Sequence, residues 1–365
     1  MLQPEVRPFT ATNKNMDAKL RKWPYRKLKD AAHFLWNRLK IRRVPLGSRT
    51  DLTLDYALDI VLEPCFRLID KGYLNHLGPV MVVLVIVLTL SIIAILLLVM
   101  LPWYLQYRNI LLVVWHFPVA TYLFFSISFH YIQGLRTPPG YPPPAQYSSA
   151  NQIQPLCSKC QGLKPPRTHH CTICNRCILR MDHHCPWLNS CVGHYNHRYF
   201  FSFMLYMWFG SAYLCIFVYP EFKELYYLPV NHPEVYSMMQ NASSSGTVYV
   251  PENPVHRLHR RSVIYMFLLS GAASISVFCL LMWHVTLISC GETSIEAHIN
   301  KKETKRLAAQ GRKYDNPYDF GFWGNWRNAL GVSHNNFRWR HLLWFSVHQP
   351  EGNGVQWETS VHEHC

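Results

Sequence analysis

Hydrophobic positions are not spread evenly along this chain. They collect in four runs that contain no Asp, Glu, Lys or Arg. The first is "VMVVLVIVLTLSIIAILLLVML", Val80 to Leu101; the second runs from Ile110 to Ile132 with His116 and His130 inside it. The third spans Tyr199 to Pro220, and the fourth spans Val263 to Cys290 with His284 inside it. Each reaches about the ~20 apolar residues that a helix needs to cross a bilayer. Core helices of a soluble protein are the alternative, but they rarely run so far without charge. The pattern therefore predicts four transmembrane helices. No secretory signal peptide precedes the first run, which is expected to serve as both signal and anchor.

Charge orients the spans. Of 36 Lys and Arg, 15 precede the first run, 1 separates the first two, 7 lie from Gln133 to Arg198, 4 from Glu221 to Ser262, and 9 follow Cys290. Placing both termini and the middle segment in the cytosol puts 31 positives inside and 5 outside, as the positive-inside rule requires. Arg260 and Arg261 are local exceptions. Residues 1 to 77 carry 15 basic and 8 acidic side chains, with Leu28, Ala32, Leu35 and Leu39 at helical spacing. An amphipathic helix on an anionic leaflet and a solvated basic tail both fit. Asp17 and Asp30, with the tyrosine and tryptophans, count against a mitochondrial presequence.

The proline-rich "TPPGYPPPAQYSSANQ", Thr137 to Gln152, reads as a non-helical spacer or as a ligand for proline-binding domains. Segment 221 to 262 reads as a long outer loop, with "NAS" at Asn241 to Ser243 as a glycan acceptor if that loop is lumenal. No internal repeat is evident apart from the cysteine pairs.

Of 12 cysteines, 7 fall between Cys157 and Cys191, in "CSKCQGLKPPRTHHCTICNRCILRMDHHCPWLNSCVG". Pairs spaced by two recur at 157/160, 171/174 and 174/177, the spacing that lets two thiolates reach one Zn²⁺. Two closed tetrahedral sites need eight ligands, and seven cysteines with His169, His170, His183 and His184 offer eleven. Direction bears on which are spare. If His184 turns to a metal on an extended segment, His183 and Cys185 share the other face. A thiol beside an imidazole, with Asp182 to hold that imidazole, is the arrangement for nucleophilic thiol catalysis. A zinc-only fold in which all four residues are structural remains the alternative at this point.

Cys157 to Phe200 resembles, almost position for position, the cysteine-rich domain of the DHHC-type protein S-acyltransferases, the palmitoyltransferases. The four spans and the place of this segment between the second and third fit the same family, from about Pro79 to Gly331. "WLNSC" departs from the usual "WLNNC" at Ser190, which leaves the ligands in place. The resemblance implies an all-α polytopic membrane protein, with a cytosolic two-zinc domain of short β-hairpins between helices two and three. It divides the chain into a basic N-terminal region, 1–77; helices 1 and 2, 78–134; linker and zinc domain, 135–198; helices 3 and 4 with lumenal loop 221–262, 199–290; and a cytosolic C-terminal region, 291–365.

Residue by residue, the resemblance implies one structural zinc on Cys157, Cys160, His170 and Cys177 and a second on Cys171, Cys174, His184 and Cys191. It leaves Asp182, His183 and Cys185 as the catalytic set, and points to Lys164, Arg167 and His169 as candidates for the phosphates of CoA. "TSIE", Thr293 to Glu296, is similar to a Thr-Thr-x-Glu motif that packs on the catalytic domain; Ser294 keeps a hydroxyl, so that contact is expected to survive. "NPYDFGFWGNWRNALG" is similar to the family's C-terminal motif, with Asn325 steadying the cytosolic end of the bundle. "GHYNHRYFFSF" and "GETSIEAHINKKE" are most similar to one animal branch of the family.

The activity so implied is transfer of a long-chain acyl group from acyl-CoA, palmitoyl-CoA above all, to cysteine thiols of substrate proteins through an acyl-enzyme on Cys185. Partners are substrate proteins with cytosolic or juxtamembrane cysteines and membrane lipids; nothing calls for nucleic acid. A zinc-bearing membrane adaptor with an inert Cys185 is the competing class. Modest span lengths and the sequon favour the endoplasmic reticulum membrane, with Golgi as the alternative.

Overall fold

The computed structural model describes residues 74–108, 110–144, 155–231, 254–332 and 345–360. The helical spacing at Leu28 to Leu39 and the sequon at Asn241 lie outside them, as does 145–152 of the proline-rich spacer. Among the described residues, four helices are long and apolar enough to cross a membrane, and all lie where the uncharged runs place them. The first is α1, Leu74–Ile95, continued through a π turn, Leu96–Met100, into α2, Leu101–Tyr107. Pro102 explains the π turn: it has no N–H to give and its ring crowds the preceding turn, so the ladder widens by one residue. The second is α3, Ile110–Arg136, the third α4, His197–Asn231, and the fourth α5, Pro254–Ser289. Helices α4 and α5 both run past their apolar stretches, so much of the expected outer loop is helical.

Helix α4 is the hub, packed against α3 on one side and α5 on the other. At one end its Phe200, Phe201, Phe203 and Met204 share a core with Leu281 and Ile288 of α5 and with Cys185, Leu188 and Val192 of the cysteine-rich module. At the far end Val218 meets Met100, Tyr104, Val263 and Met266. There Arg108 clasps Glu221 at 2.8 Å and Glu224 at 3.2 Å. Leu98, Trp115 and Ile216 are more than two-thirds exposed, as side chains facing lipid should be. Between the two clusters lies a cavity of ≈ 550 Å³ lined by apolar side chains of all four spans.

The cysteine-rich module is two antiparallel hairpins. Strand β1, His169–Cys171, pairs with β2, Arg176–Ile178; strand β3, His183–Cys185, pairs with β4, Ser190–Val192. The registers repeat. His170 faces Cys177 as His184 faces Cys191, and Cys171 faces Arg176 as Cys185 faces Ser190. Each turn carries an asparagine with positive φ, Asn175 at 51° and Asn189 at 46°, a conformation that asparagine tolerates better than most residues. "HHCTICNRCI" and "HHCPWLNSCV" are therefore one hairpin used twice, which corrects the expectation of no repeat beyond the cysteine pairs. Two-residue cysteine spacing hid it, because Leu188 stands where the first copy has Cys174.

After α5, helix α6, Ser294–Ala308, opens with a capping box in which Thr293 and Glu296 satisfy each other's backbone N–H groups. Helix α7, Gly321–Leu330, follows. Buried Asn325 donates to Ser289 O (2.9 Å) and to Asp319 (2.7 Å), and accepts from Phe320 N (2.9 Å), so α7 is tied to the end of α5. Residues 345–360 form no helix or strand, yet dock firmly: Arg198 donates to Ser346 O at 3.0 Å and His348 O at 2.6 Å.

Candidate active site and metal centres

Cys157, Cys160, His170 and Cys177 form one group, and Cys171, Cys174, His184 and Cys191 a second, the ligand atoms of each lying within 4.8 Å of one another. In the first, Cys160 and Cys177 sulfurs are 3.6 Å apart; in the second, Cys174 and Cys191 are 3.5 Å apart and His184 Nδ1 is 3.4–3.8 Å from all three sulfurs. A tetrahedron with metal–sulfur bonds of ~2.3 Å has edges of about that length. His170 Nδ1 is buried with no hydrogen-bond partner, which costs free energy unless a further group such as a metal ion meets it. Both groups fit a metal ion. The hairpin repeat explains the interleaving, since each hairpin sends its central His and Cys to one group while Cys171 and Cys174 cross to the other.

The repeat also isolates a thiol. Cys185 occupies in the second hairpin the position of Cys171 in the first, but it belongs to neither group. It sits buried among Leu188, Val192 and Phe200, on the same side of β3 as His183, while His184 turns the other way. Asp182, 1% exposed, holds His183 Nδ1 at 2.6 Å through Oδ2 and accepts Ser294 N–H at 2.6 Å through Oδ1. Burial pushes the Asp182 carboxyl up, but the His183 contact outweighs it and holds the group well below the usual carboxylate range. Burial likewise presses the His183 imidazole down, and the Asp182 bond and the Cys185 thiol overcome it, raising it to about 9. With Nδ1 committed to Asp182, Nε2 is the nitrogen left to serve the thiol.

Three neighbours hold this arrangement in place. Tyr131 OH donates to Trp187 O at 3.0 Å, bracing the turn after Cys185. Helix α1 rests on the same turn: a Cβ built on Gly78 would overlap the Asn189 side chain, so any larger residue there must displace it. His284 of α5, buried, points Nδ1 to within 3.9 Å of Asp182, with its ring 5.7 Å from that of His183. Sequence reasoning passed over His284 and Gly78. The first had a signal, because an ionisable side chain inside an apolar span marks a functional site by default.

Ser294 meets Asp182 through its backbone N–H, so the hydroxyl that sequence reasoning relied on is not the contacting group. Arg167 is also differently employed than a free phosphate-binding cation. Its guanidinium, 5% exposed, bonds both Glu296 oxygens at 2.6 Å and Gly291 O at 3.1 Å. The pair holds Glu296 below its ordinary value against the opposing pull of burial. Lys164 and His169 are half-buried nearby.

A module with two four-residue metal groups, bringing a thiol, an imidazole and a carboxylate together at the end of four helices apolar enough to cross a membrane, defines a multi-pass membrane protein with a cysteine-rich module. Comparison with known proteins carries this further. The family model described as DHHC palmitoyltransferase matches residues 150–301. The chain is 44% identical to human palmitoyltransferase ZDHHC16 over 83% of its own length and 81% of the relative's, and 37% identical to zebrafish ZDHHC16B over 90% and 89%. A probable protein S-acyltransferase 12 of Arabidopsis thaliana is 29% identical over 46% of the chain. The chain belongs to the DHHC palmitoyltransferase family and is a protein S-acyltransferase.

Proposed function

We propose that the chain carries its acyl group on Cys185, with long-chain acyl-CoA as donor and cysteine thiols of cytosolic or juxtamembrane protein segments as acceptors. The observation that carries this reading is that Cys185 alone, among the seven cysteines of the module, stands outside both metal groups and beside the Asp182–His183 pair. His183 Nε2 takes the thiol proton, and Cys185 Sγ attacks the thioester carbonyl of acyl-CoA. The carbon–sulfur bond to CoA breaks, and CoA leaves with that proton. In the second half-reaction His183 accepts the proton of the acceptor thiol, which attacks the Cys185 thioester; the bond to Cys185 Sγ breaks, and His183 returns the proton to that thiolate. One thioester replaces another at each step, so no ATP is needed.

The acyl chain has an apolar place to go. The cavity in the bundle begins at Val85, Ile127 and Met207, which pack on the core containing Cys185, and each buried CH₂ contributes about 0.8 kcal/mol. Zinc is the metal we assign to both groups, on the chemistry of three thiolates and one imidazole; bound there it closes the module's fold and takes no part in the reaction. Lys164 and His169 are the residues we assign to the CoA phosphates, Lys164 as the charge and His169, held below its ordinary value by burial, as a neutral N–H donor. Arg167 joins them only if it leaves Glu296. We further propose the endoplasmic reticulum membrane, both termini cytosolic, and the division of the chain given from the sequence.

Incubation with alkyne-tagged palmitoyl-CoA tests the reading. A hydroxylamine-sensitive label is expected on the wild type and none on Cys185→Ser; equal labelling of both would sink it.

A further inference from the structure

We propose that segment 345–360 is a strap that sets the reactive geometry, with Trp357 as a positioning residue for Asp182; this rests on the reading of Asp182, His183 and Cys185 just given. The strap is anchored on both sides of Trp357. His194 Nε2 donates to Gly352 O at 3.2 Å, Tyr195 OH donates to Asn353 O at 3.3 Å, and Ser360 N donates to Pro317 O at 2.8 Å. Gly354 lies so close to His194 that a Cβ there would come within 2.9 Å of the ring.

So held, the Trp357 ring lies 4.8 Å from the Arg167 guanidinium and 5.8 Å from that of Arg180, with Tyr318 on Arg167 at 4.4 Å. Arg167 bonds Glu296 directly, and the buried Arg180 guanidinium beside it is held by Glu296 and Asp182 only through their fields. Burial and the charge of Arg167 press Arg180 down to about 10. Arg167 also sits at φ 63°, in the left-handed region that non-glycine residues rarely adopt. An aromatic face beside both cations offsets their repulsion and excludes water from the Arg167–Glu296 pair.

That pair leads to the reacting atoms in three bonds. Arg167 fixes Glu296; Glu296 accepts Thr293 N–H at 2.9 Å and so fixes the first turn of α6; the next N–H, of Ser294, meets Asp182 at 2.6 Å. Asp182 orients His183. A shift of α6 by a fraction of an ångström would lengthen the Ser294 bond and turn the carboxylate, and small misplacements of this kind cost rate steeply.

The test uses the purified full-length protein and follows the rate of acyl-enzyme formation from alkyne-tagged palmitoyl-CoA. Trp357→Ala is expected to slow it roughly three- to thirtyfold, the range a cation–π contact commands, with zinc content and KM for acyl-CoA unchanged and the thermal midpoint lowered as the Arg167–Glu296 pair loses its cover. Trp357→Phe should recover most of the rate. Trp357→Ala combined with Glu296→Gln should be no slower than Glu296→Gln alone, since both act through one pair. A wild-type rate in Trp357→Ala, a loss matched by loss of zinc, a Phe variant no better than Ala, or full additivity in the double variant would each overturn the strap's role. Labelling that persists in Cys185→Ser would instead overturn the assignment of the nucleophile, which distinguishes the two failures.

Discussion

Asp182 has two oxygens and spends both on geometry: one orients His183, the other is held by a backbone N–H at the start of α6. That division gives a sharp prediction at Ser294. Ser294→Ala keeps the N–H, and acyl-enzyme formation should stay within about twofold of wild type. Ser294→Pro deletes the donor while suiting the helix, because proline is favoured at the first helical position and Thr293 already has extended angles (φ −94°, ψ 167°). A hydrogen bond to a charged group is worth about 1.5–3 kcal/mol, so the rate should fall roughly ten- to a hundredfold. Single-turnover labelling reads both. His183 and His184, adjacent in sequence, are predicted to separate in the same way. His183→Ala should abolish labelling with both zincs retained, whereas His184→Ala should release metal, as measured by elemental analysis. Zinc lost equally from both variants would show that the assignment of the two histidines is wrong.

At the scale of elements, two of the junctions between the module and the bundle each have their own test. One is the Arg167–Glu296 pair. Glu296 has a depressed value in the folded protein, so its contribution to stability is full above its ordinary value of 4.5 and is lost as pH falls through the lower folded value. The thermal midpoint of wild type should therefore exceed that of Glu296→Gln near neutral pH, by an amount set by about 3–5 kcal/mol for breaking one side of a buried pair, and the gap should narrow as pH drops below 4.5. The other junction is α1 on the turn after Cys185. Gly78→Val drives a branched side chain into Asn189, and overpacking of this kind costs about 1–3 kcal/mol. Labelling of Gly78→Val should fall, and Gly78→Ala should lie between it and wild type.

The four spans and the module are tied into one unit, Arg67–Cys365. Their expected orientation is tested at this scale: a tag at either terminus should be digested by protease added to sealed microsomes, while Asn241 should accept a glycan on the other face. Protection of both tags would reverse the topology.

How much of this was legible in the sequence differs from element to element. The spans were, because an uncharged run of more than 20 residues has few other uses, and their order needs no knowledge of packing. The density of cysteine at two-residue spacing likewise announced metal binding. Alternation along "HHC" put His183 and Cys185 on a face away from His184, and β3 has that geometry. Other features were not legible because they depend on which elements meet. Nothing in "TSIE" says that a backbone N–H rather than a hydroxyl touches Asp182. Arg167 reads as a free cation until Glu296, 129 residues later, is seen to saturate it. His284, Gly78 and Trp357 gain their roles only by proximity to groups far away in sequence.

By itself, then, the sequence determined the membrane spans, the metal-binding chemistry and the family, because these follow from composition and local spacing, which the chain carries without folding. The tertiary structure alone decided that the Ser294 N–H rather than its hydroxyl meets Asp182, that Glu296 takes up Arg167, and which other distant groups hold Asp182 and the turn after Cys185 in place. Those facts depend on contacts between segments more than a hundred residues apart, and no local pattern encodes them.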